Sequence, residues 1–247
     1  LNESKQIKKT KVTSFLEGQW KGVRLSTDAD FEKSPDTSVD KKILLDIGKK
    51  ITEVPAGKKF FNKMEKLFKD RRAMLGGDKL DWGMGELLAY GTLLNEGHSV
   101  RFSGQDVERG TFSHRHAVIK LEDSEEEYVP LSSVENNSRF MIYNSHLSEY
   151  GVLGFEYGYA MASPETLCIW EAQFGDFSNC AQVVIDQYIS AAEDKWRRMN
   201  GICLFLPHGY EGQGAEHSSA RIERFLTLCA ENNMYVINAT TPANFFH

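Results

Sequence analysis

The chain has 247 residues, of which 41% are hydrophobic and 11% aromatic, enough to bury the core of one large domain or of one domain with an appendage. No apolar run reaches the roughly 18 residues of a transmembrane helix, which argues against a membrane protein. The net charge is −6, but residues 1–75 carry 18 basic and 11 acidic side chains. These lysines are scattered among acids without interleaved aromatics, which argues against nucleic-acid binding.

The four cysteines (Cys168, Cys180, Cys203 and Cys229) form no CxxC pair and lie mainly in apolar contexts. We therefore expect buried thiols in a reduced intracellular protein rather than disulfides or a zinc site. The N-terminus has neither an initiator Met nor signal-peptide character, and Thr241-Pro242 resembles a helix start close to the last residue. The sequence is expected to be a piece of a longer gene product.

Two regions differ in their patterns. Residues 1–77 predict a linker with short helices, since apolar residues recur at helical spacing between Phe60 and Met74 and Gly76-Gly77 ends that segment. Residues 78–247 predict helices over 82–96, 148–162, 179–196 and 219–231, and strands over 99–103, 140–143, 167–170, 202–206 and 234–237. Most strands are continuous apolar runs, so we predict an α/β domain whose parallel sheet has helices on both faces.

Binding sites in such sheets lie beyond the carboxyl ends of the strands. The loops at those ends are 104–116, 144–149, 171–178 and 207–218. The last is rich in glycine, contains His208 and His217, and precedes a helix start, which favours an anionic ligand and an acid–base histidine. Because no Gly-Lys-Ser/Thr follows, it is not a Walker motif.

Other polar residues in these loops allow two interpretations each. Glu149 could complement a helix dipole or act as an acid at a ligand. The two phenylalanines of the loop, Phe174 and Phe177, could plug the core, or one of them could stack on a flat ring. Arg109 and Arg115 could hold carboxylates or form ion pairs at a subunit contact. The pair of His114 and His116 lacks a third ligand for zinc.

The same loops resemble those of 2-oxoglutarate dehydrogenase, a thiamine-diphosphate-dependent decarboxylating enzyme. The resemblance is strong over residues 78–247 and weaker in the linker, at residues 17–22. The segments that carry it are Ser-Gly-Gln-Asp-Val-Glu-Arg-Gly-Thr-Phe-Ser-His-Arg-His-Ala at 103–117, Leu-Ser-Glu-Tyr at 147–150, Phe-Glu-Tyr-Gly-Tyr-Ala at 155–160, Trp-Glu-Ala-Gln-Phe-Gly-Asp-Phe at 170–177, and residues 207–221.

The resemblance implies that residues 78–247 form the pyrimidine-binding domain of a thiamine-diphosphate-binding fold. It implies that Glu149 forms a hydrogen bond with the aminopyrimidine ring and exchanges the proton that activates the cofactor. Phe177 would lie against that ring, and Gln173 would be a polar residue of the pocket. His217 would bind substrate and transfer protons, with weaker matches at the substrate side for His208, His114 and His116.

The resemblance also implies what this sequence lacks. The family holds magnesium and the cofactor diphosphate with a Gly-Asp-Gly motif in another domain, and no Gly-Asp-Gly occurs here. We therefore expect no metal ligands in this chain and expect the diphosphate-binding and C-terminal domains to be absent. The cofactor of the family lies between two subunits, which implies a homodimer, and a lipoyl-bearing succinyltransferase is the implied partner.

The implied activity is oxidative decarboxylation of 2-oxoglutarate, with transfer of the succinyl group to a lipoyl group. The alternatives are a paralogue acting on 2-oxoadipate and a non-catalytic interface module of the same fold. Retention of Glu149, Phe177 and His217 together favours the enzyme. Either the bacterial cytoplasm or the mitochondrial matrix fits as the compartment.

The first prediction concerns the 247-residue chain on its own. Because the expected metal and diphosphate ligands belong to another domain, the isolated chain should bind thiamine diphosphate poorly and should not turn over 2-oxoglutarate. Carbon dioxide release and calorimetric titration with thiamine diphosphate and Mg²⁺ would measure both properties. Decarboxylation by the isolated chain would contradict the prediction.

Overall fold

The computed structural model describes residues 16–210 and 214–247. Its α-helices are α1 Lys41–Ile51, α2 Asn62–Met74, α3 Trp82–Asn95, α4 Glu149–Ala162, α5 Gln182–Val184, α6 Ala192–Trp196, α7 Ile222–Leu228 and α8 Pro242–Phe246. Its strands are β1 Val100–Gly104, β2 Ile119–Lys120, β3 Glu127–Tyr128, β4 Phe140–Asn144, β5 Leu167–Glu171 and β6 Cys203–Phe205. Within these described ranges, no helix is long and apolar enough to span a membrane.

Four strands form one parallel sheet in the order β4-β1-β5-β6. Side chains alternate across it, so Phe102 and Ile169 pack with α3 on one face, whereas Trp170 packs with Leu153 of α4 on the other. The sheet is thus covered on both faces, as its continuous apolar strands predict. The expected α/β class is confirmed.

Helix α3 lies in the core on one side of the sheet. It is apolar around most of its circumference, which is typical of a buried helix, and Asp81 caps it by accepting a hydrogen bond from the Met84 amide at 2.7 Å. A side chain at Gly83 would lie 2.1 Å from the His114 carbonyl oxygen, so only glycine allows that loop to approach. Ile47 of α1 packs in the same core, which joins part of the predicted linker to the domain.

The prediction of a single helix over 179–196 is wrong. Helical structure begins earlier, with a 3₁₀ segment at Gly175–Ala181. It continues through α5 and a π turn at Ile185–Ile189 and resumes as α6. The early start follows from tertiary contact, because the Gly175 amide donates to the Pro207 carbonyl at 2.9 Å. The extra residue in the π turn shifts the helical phase, which a regular periodicity does not anticipate.

Two predictions near the C-terminus need correction. The helix expected over 219–231 is limited to Ile222–Leu228, because Arg221 adopts a left-handed backbone with φ of 56°. The strand expected over 234–237 is wrong, since this segment has no ladder partner in the described ranges and Ile237 is 81% exposed. The helix start at Thr241-Pro242 is confirmed, with the Thr241 hydroxyl accepting from the Asn244 amide at 3.1 Å.

Candidate functional site

The carboxyl ends of three strands are in register at one edge of the sheet. Gly104 at the end of β1 pairs with Asn144 of β4 and with Glu171 of β5, so the loops that follow these strands meet. A small, partly open cleft lies between the loops. Its lining consists of Gly104, Gln105, Leu147, Glu149, Val152, Trp170, Glu171, Ala172 and Gln173.

Glu149 lies in this cleft as the first residue of α4. The amino end of a helix attracts negative charge because its free amides and its dipole favour an anion. The side chain is half-buried and has no hydrogen bond or ion pair with any residue that the structure describes. With Leu147 and Val152 beside it in the lining, the carboxylate is available to a ligand in a partly apolar surrounding.

Gln173 lines the same cleft from the loop after β5. Its Nε2 donates a hydrogen bond to Oδ2 of Asp106 at 2.9 Å. Asp106 belongs to the loop after β1 and has a left-handed backbone with φ of 58°. The bond therefore ties two of the loops that form the cleft and fixes the side chain of Gln173.

Phe177 and His217 form a second group next to the loop after β5. Their ring centroids lie 4.6 Å apart, and the ring of Phe174 lies 5.3 Å from that of His217. Gly214, with φ of 77°, brings the chain against Phe174, where a side chain would clash with the ring at 2.8 Å. His217 Nδ1 lies 3.3 Å from Oδ1 of Asp176, although neither atom meets the geometry of a hydrogen bond.

The other three candidate histidines lie outside the cleft lining. His208 accepts a hydrogen bond at Nδ1 from the Ala220 amide at 3.0 Å, which holds the loop before α7. The His114 ring lies beside that of Phe112, with centroids 6.2 Å apart, and burial lowers the pKa of His114 to about 4. Burial also lowers the pKa of His116, so both imidazoles favour the neutral form.

A buried ion-pair network lies beneath the cleft. Arg115 Nε bonds to Oε1 of Glu86 at 2.9 Å, and its Nη1 and Nη2 bond to the two oxygens of Glu171 at 3.0 and 2.5 Å. Tyr90 donates to Glu86 at 2.7 Å, and Val107 accepts from Nη1 at 2.9 Å. Arg115 thus joins α3, the end of β5 and its own loop.

Within this hydrogen-bonded network one guanidinium faces two carboxylates, although the buried guanidinium of Arg71 also attracts Glu86. Burial, reinforced by the negative charge of Glu171, raises the pKa of Glu86 against the attraction of Arg115. Burial alone would lower the pKa of Arg115, but the two carboxylates together raise it. The guanidinium therefore stays charged, and removing it would leave two buried acids without the cation that bonds to them.

A second buried pair fastens the helix that carries Glu149. Arg101 of β1 donates from Nε to Oε2 of Glu156 in α4 at 2.7 Å and from Nη2 to the other oxygen at 2.8 Å. The Tyr159 ring lies 4.5 Å from the guanidinium carbon. Such a bidentate pair restrains α4 in both position and rotation on the sheet.

Sequence reasoning assigned Arg115 a carboxylate-binding capacity but missed its partner Glu86, and it also missed the pair of Arg101 and Glu156. A usable signal exists in the sequence. Each glutamate is nearly isolated among apolar residues of a helix, Glu86 in α3 and Glu156 in α4. A lone carboxylate in such a helix indicates a buried cationic partner.

Comparison with known proteins gives relatives for the whole chain. Residues 78–247 match the transketolase pyrimidine-binding domain. The chain is 49% identical over 247 residues to the 2-oxoglutarate dehydrogenase E1 components of Brucella ovis and Brucella canis, and 49% identical over 244 residues to that of Brucella anthropi. These alignments cover 98 to 99% of this chain but only 24 to 25% of the relatives, so the chain spans about a quarter of their length.

The buried network yields a stability prediction. Arg115→Met should lower the free energy of unfolding by about 3–5 kcal/mol, because it removes the cation that bonds to the buried Glu86 and Glu171. Urea denaturation of the chain would measure the loss. The matched control is Arg109→Met, whose side chain is 51% exposed and lies 3.6 Å from Asp106, and which should cost less than about 1 kcal/mol. Equal losses in the two variants would refute the assigned role of Arg115.

Proposed function

The chain belongs to the family of the transketolase pyrimidine-binding domain, and from this premise we propose that it forms the pyrimidine side of the cofactor site in a 2-oxoglutarate dehydrogenase. The similarity to the E1 components of Brucella supports this choice of enzyme. Thiamine diphosphate supplies, when bound, the nucleophilic carbon and the electron sink for decarboxylation of a 2-oxo acid.

The observation that carries the proposal is the free carboxylate of Glu149 in the cleft. An aminopyrimidine ring needs a hydrogen-bonding partner beside an apolar surface, and the cleft that holds Glu149 is also lined by the buried Val152 and Trp170 and by the exposed Leu147. A carboxylate already paired with a cation would not serve this purpose, and the neighbouring Glu171 is paired with Arg115. The residues present therefore fit the cofactor's ring.

The proposed roles divide between the two groups of residues. Glu149 holds a proton at the ring nitrogen and exchanges it, as a general acid–base residue does. Gln173, fixed by Asp106, orients the ring through its amide, and Phe177 provides an aromatic surface. His217, next to Phe177, binds the carboxylate end of the substrate and moves a proton there.

Three further histidines are weaker candidates for substrate binding: His208, His114 and His116. His208 holds the loop that carries His217, through its bond to Ala220. His114 borders Phe112, whose ring centroid lies 5.8 Å from that of Phe174. We propose that these three shape the substrate side without direct proton transfer.

The remaining parts of the proposal concern the full-length protein. Residues 1–77 form the linker and 78–247 the pyrimidine-binding domain, a boundary that the start of the family match at residue 78 supports. Magnesium and the cofactor diphosphate bind to another domain, and two copies of the protein complete each site. The succinyl group passes to the lipoyl group of a succinyltransferase, and the bacterial relatives favour the bacterial cytoplasm as the compartment.

Glu149→Gln in the full-length protein tests the proposed function. The amide keeps the shape and a hydrogen bond but cannot exchange the proton, so kcat for 2-oxoglutarate should fall by about 10²–10⁴-fold. Steady-state decarboxylation assays and cofactor titration would measure kcat and the affinity for thiamine diphosphate. The assays should include 2-oxoadipate, because a higher kcat/KM for that acid would identify the paralogue.

The matched control is Glu165→Gln, an exposed glutamate just after α4. This variant should keep wild-type kcat. If kcat of Glu149→Gln also stays within about threefold of wild type, Glu149 has no role in proton exchange. A non-catalytic module would then be the better interpretation of this domain.

A further inference from the structure

We propose that Asp176 is the positioning residue for His217: its carboxylate accepts a hydrogen bond from Nδ1 and thereby orients the imidazole on the substrate side of the site. The inference rests on the proposed function, within which it adds a residue that neither the resemblance nor the relatives assign. The pair would fix the position of the histidine on the substrate side of the site.

The geometry singles out this pair. Oδ1 of Asp176 and Nδ1 of His217 lie 3.3 Å apart, and both atoms are buried without another hydrogen-bond partner in the described part of the chain. Buried polar atoms are seldom left unpaired. A small rotation of either side chain would align the bond, as commonly happens when a substrate closes a site.

The surroundings limit how the imidazole can move. Phe174 and Phe177 pack against its ring, with centroids at 5.3 and 4.6 Å. The His217 amide donates to the Gly214 carbonyl at 2.7 Å, which fixes the backbone. The ring is therefore held between two phenylalanines, with one edge toward Asp176.

The chemistry follows from the contacts of the two ring nitrogens. When Nδ1 carries a proton toward Asp176, Nε2 is left to bind or transfer the second proton. The contact with Asp176 thus directs Nε2 to the substrate side, where the proposed function needs a proton to be bound and moved.

Among the residues that the structure describes, two acidic groups face His217. Asp176 belongs to the 3₁₀ segment Gly175–Ala181, and its side chain is 14% exposed. Glu216 neighbours His217 in the chain, lies 3.7 Å from Nε2 and is 71% exposed. The two described rings that pack against His217 are those of Phe174 and Phe177. Asp176 is the less exposed of the two acids, so water competes less for its carboxylate and it should orient the ring more strongly.

The kinetic test uses Asp176→Asn, His217→Gln and the double variant in the full-length protein. Asp176→Asn should lower kcat/KM for 2-oxoglutarate by roughly 10²-fold, and thiamine diphosphate affinity should not change. Because Asp176 acts through His217, the double variant should be within about threefold of His217→Gln alone. Asp176→Glu should restore part of the activity. Additive losses in the double variant would overturn the proposal, because they would mean that Asp176 acts independently of His217.

A second readout does not depend on activity. The ¹⁵N chemical shifts of the His217 imidazole report which ring nitrogen carries a proton. In the wild type Nδ1, which faces Asp176, should carry it; Asp176→Ala should lose this preference, whereas Glu216→Gln should keep it. The same tautomer in the wild type and Asp176→Ala would overturn the proposed pairing even in a protein without decarboxylase activity. A changed tautomer without 2-oxoglutarate turnover would retain the pair and reject only the proposed function.

Discussion

The buried guanidinium of Arg115 is the interaction on which the geometry of this site depends. It is the shared cation of Glu86 in α3 and Glu171 at the end of β5, so it connects the core helix to the edge of the sheet where the cleft opens. Burying two carboxylates around one cation costs folding free energy unless the hydrogen-bond geometry between them is maintained. The loop of residues 105–118 is thereby fixed, and with it the bond between Asp106 and Gln173.

The site consists of two groups held by different parts of the fold. Glu149 depends on α4, which the buried pair of Arg101 and Glu156 fastens to β1. Phe177 and His217 depend on the contact between Gly175 and the loop after β6, where the Gly175 amide meets the Pro207 carbonyl. Glu149 and His217 are therefore held independently of each other, which suits the separate cofactor-side and substrate-side roles that we propose for them.

Local patterns were sufficient for the α/β class and for most elements of the sheet, because continuous apolar strands can be buried only between two layers of helices. Predictions from local patterns failed where tertiary contacts determine the backbone conformation. Helical structure starts at Gly175 rather than at the predicted residue 179. The apolar run at 234–237, which was predicted as a strand, remains largely exposed. The resemblance of the loops led to Glu149, Gln173 and His217, but Asp176 and Glu86 depend on pairings across the fold that spacing along the chain does not encode.

The most direct test of the proposed role of Glu149 is a structure of the full-length protein with thiamine diphosphate and Mg²⁺ bound. We expect a Glu149 oxygen within about 2.6–3.2 Å of a nitrogen of the pyrimidine ring, with the pairs of Arg115 to Glu86 and Glu171 intact. A pyrimidine ring bound outside this cleft, with Glu149 in solvent, would contradict it.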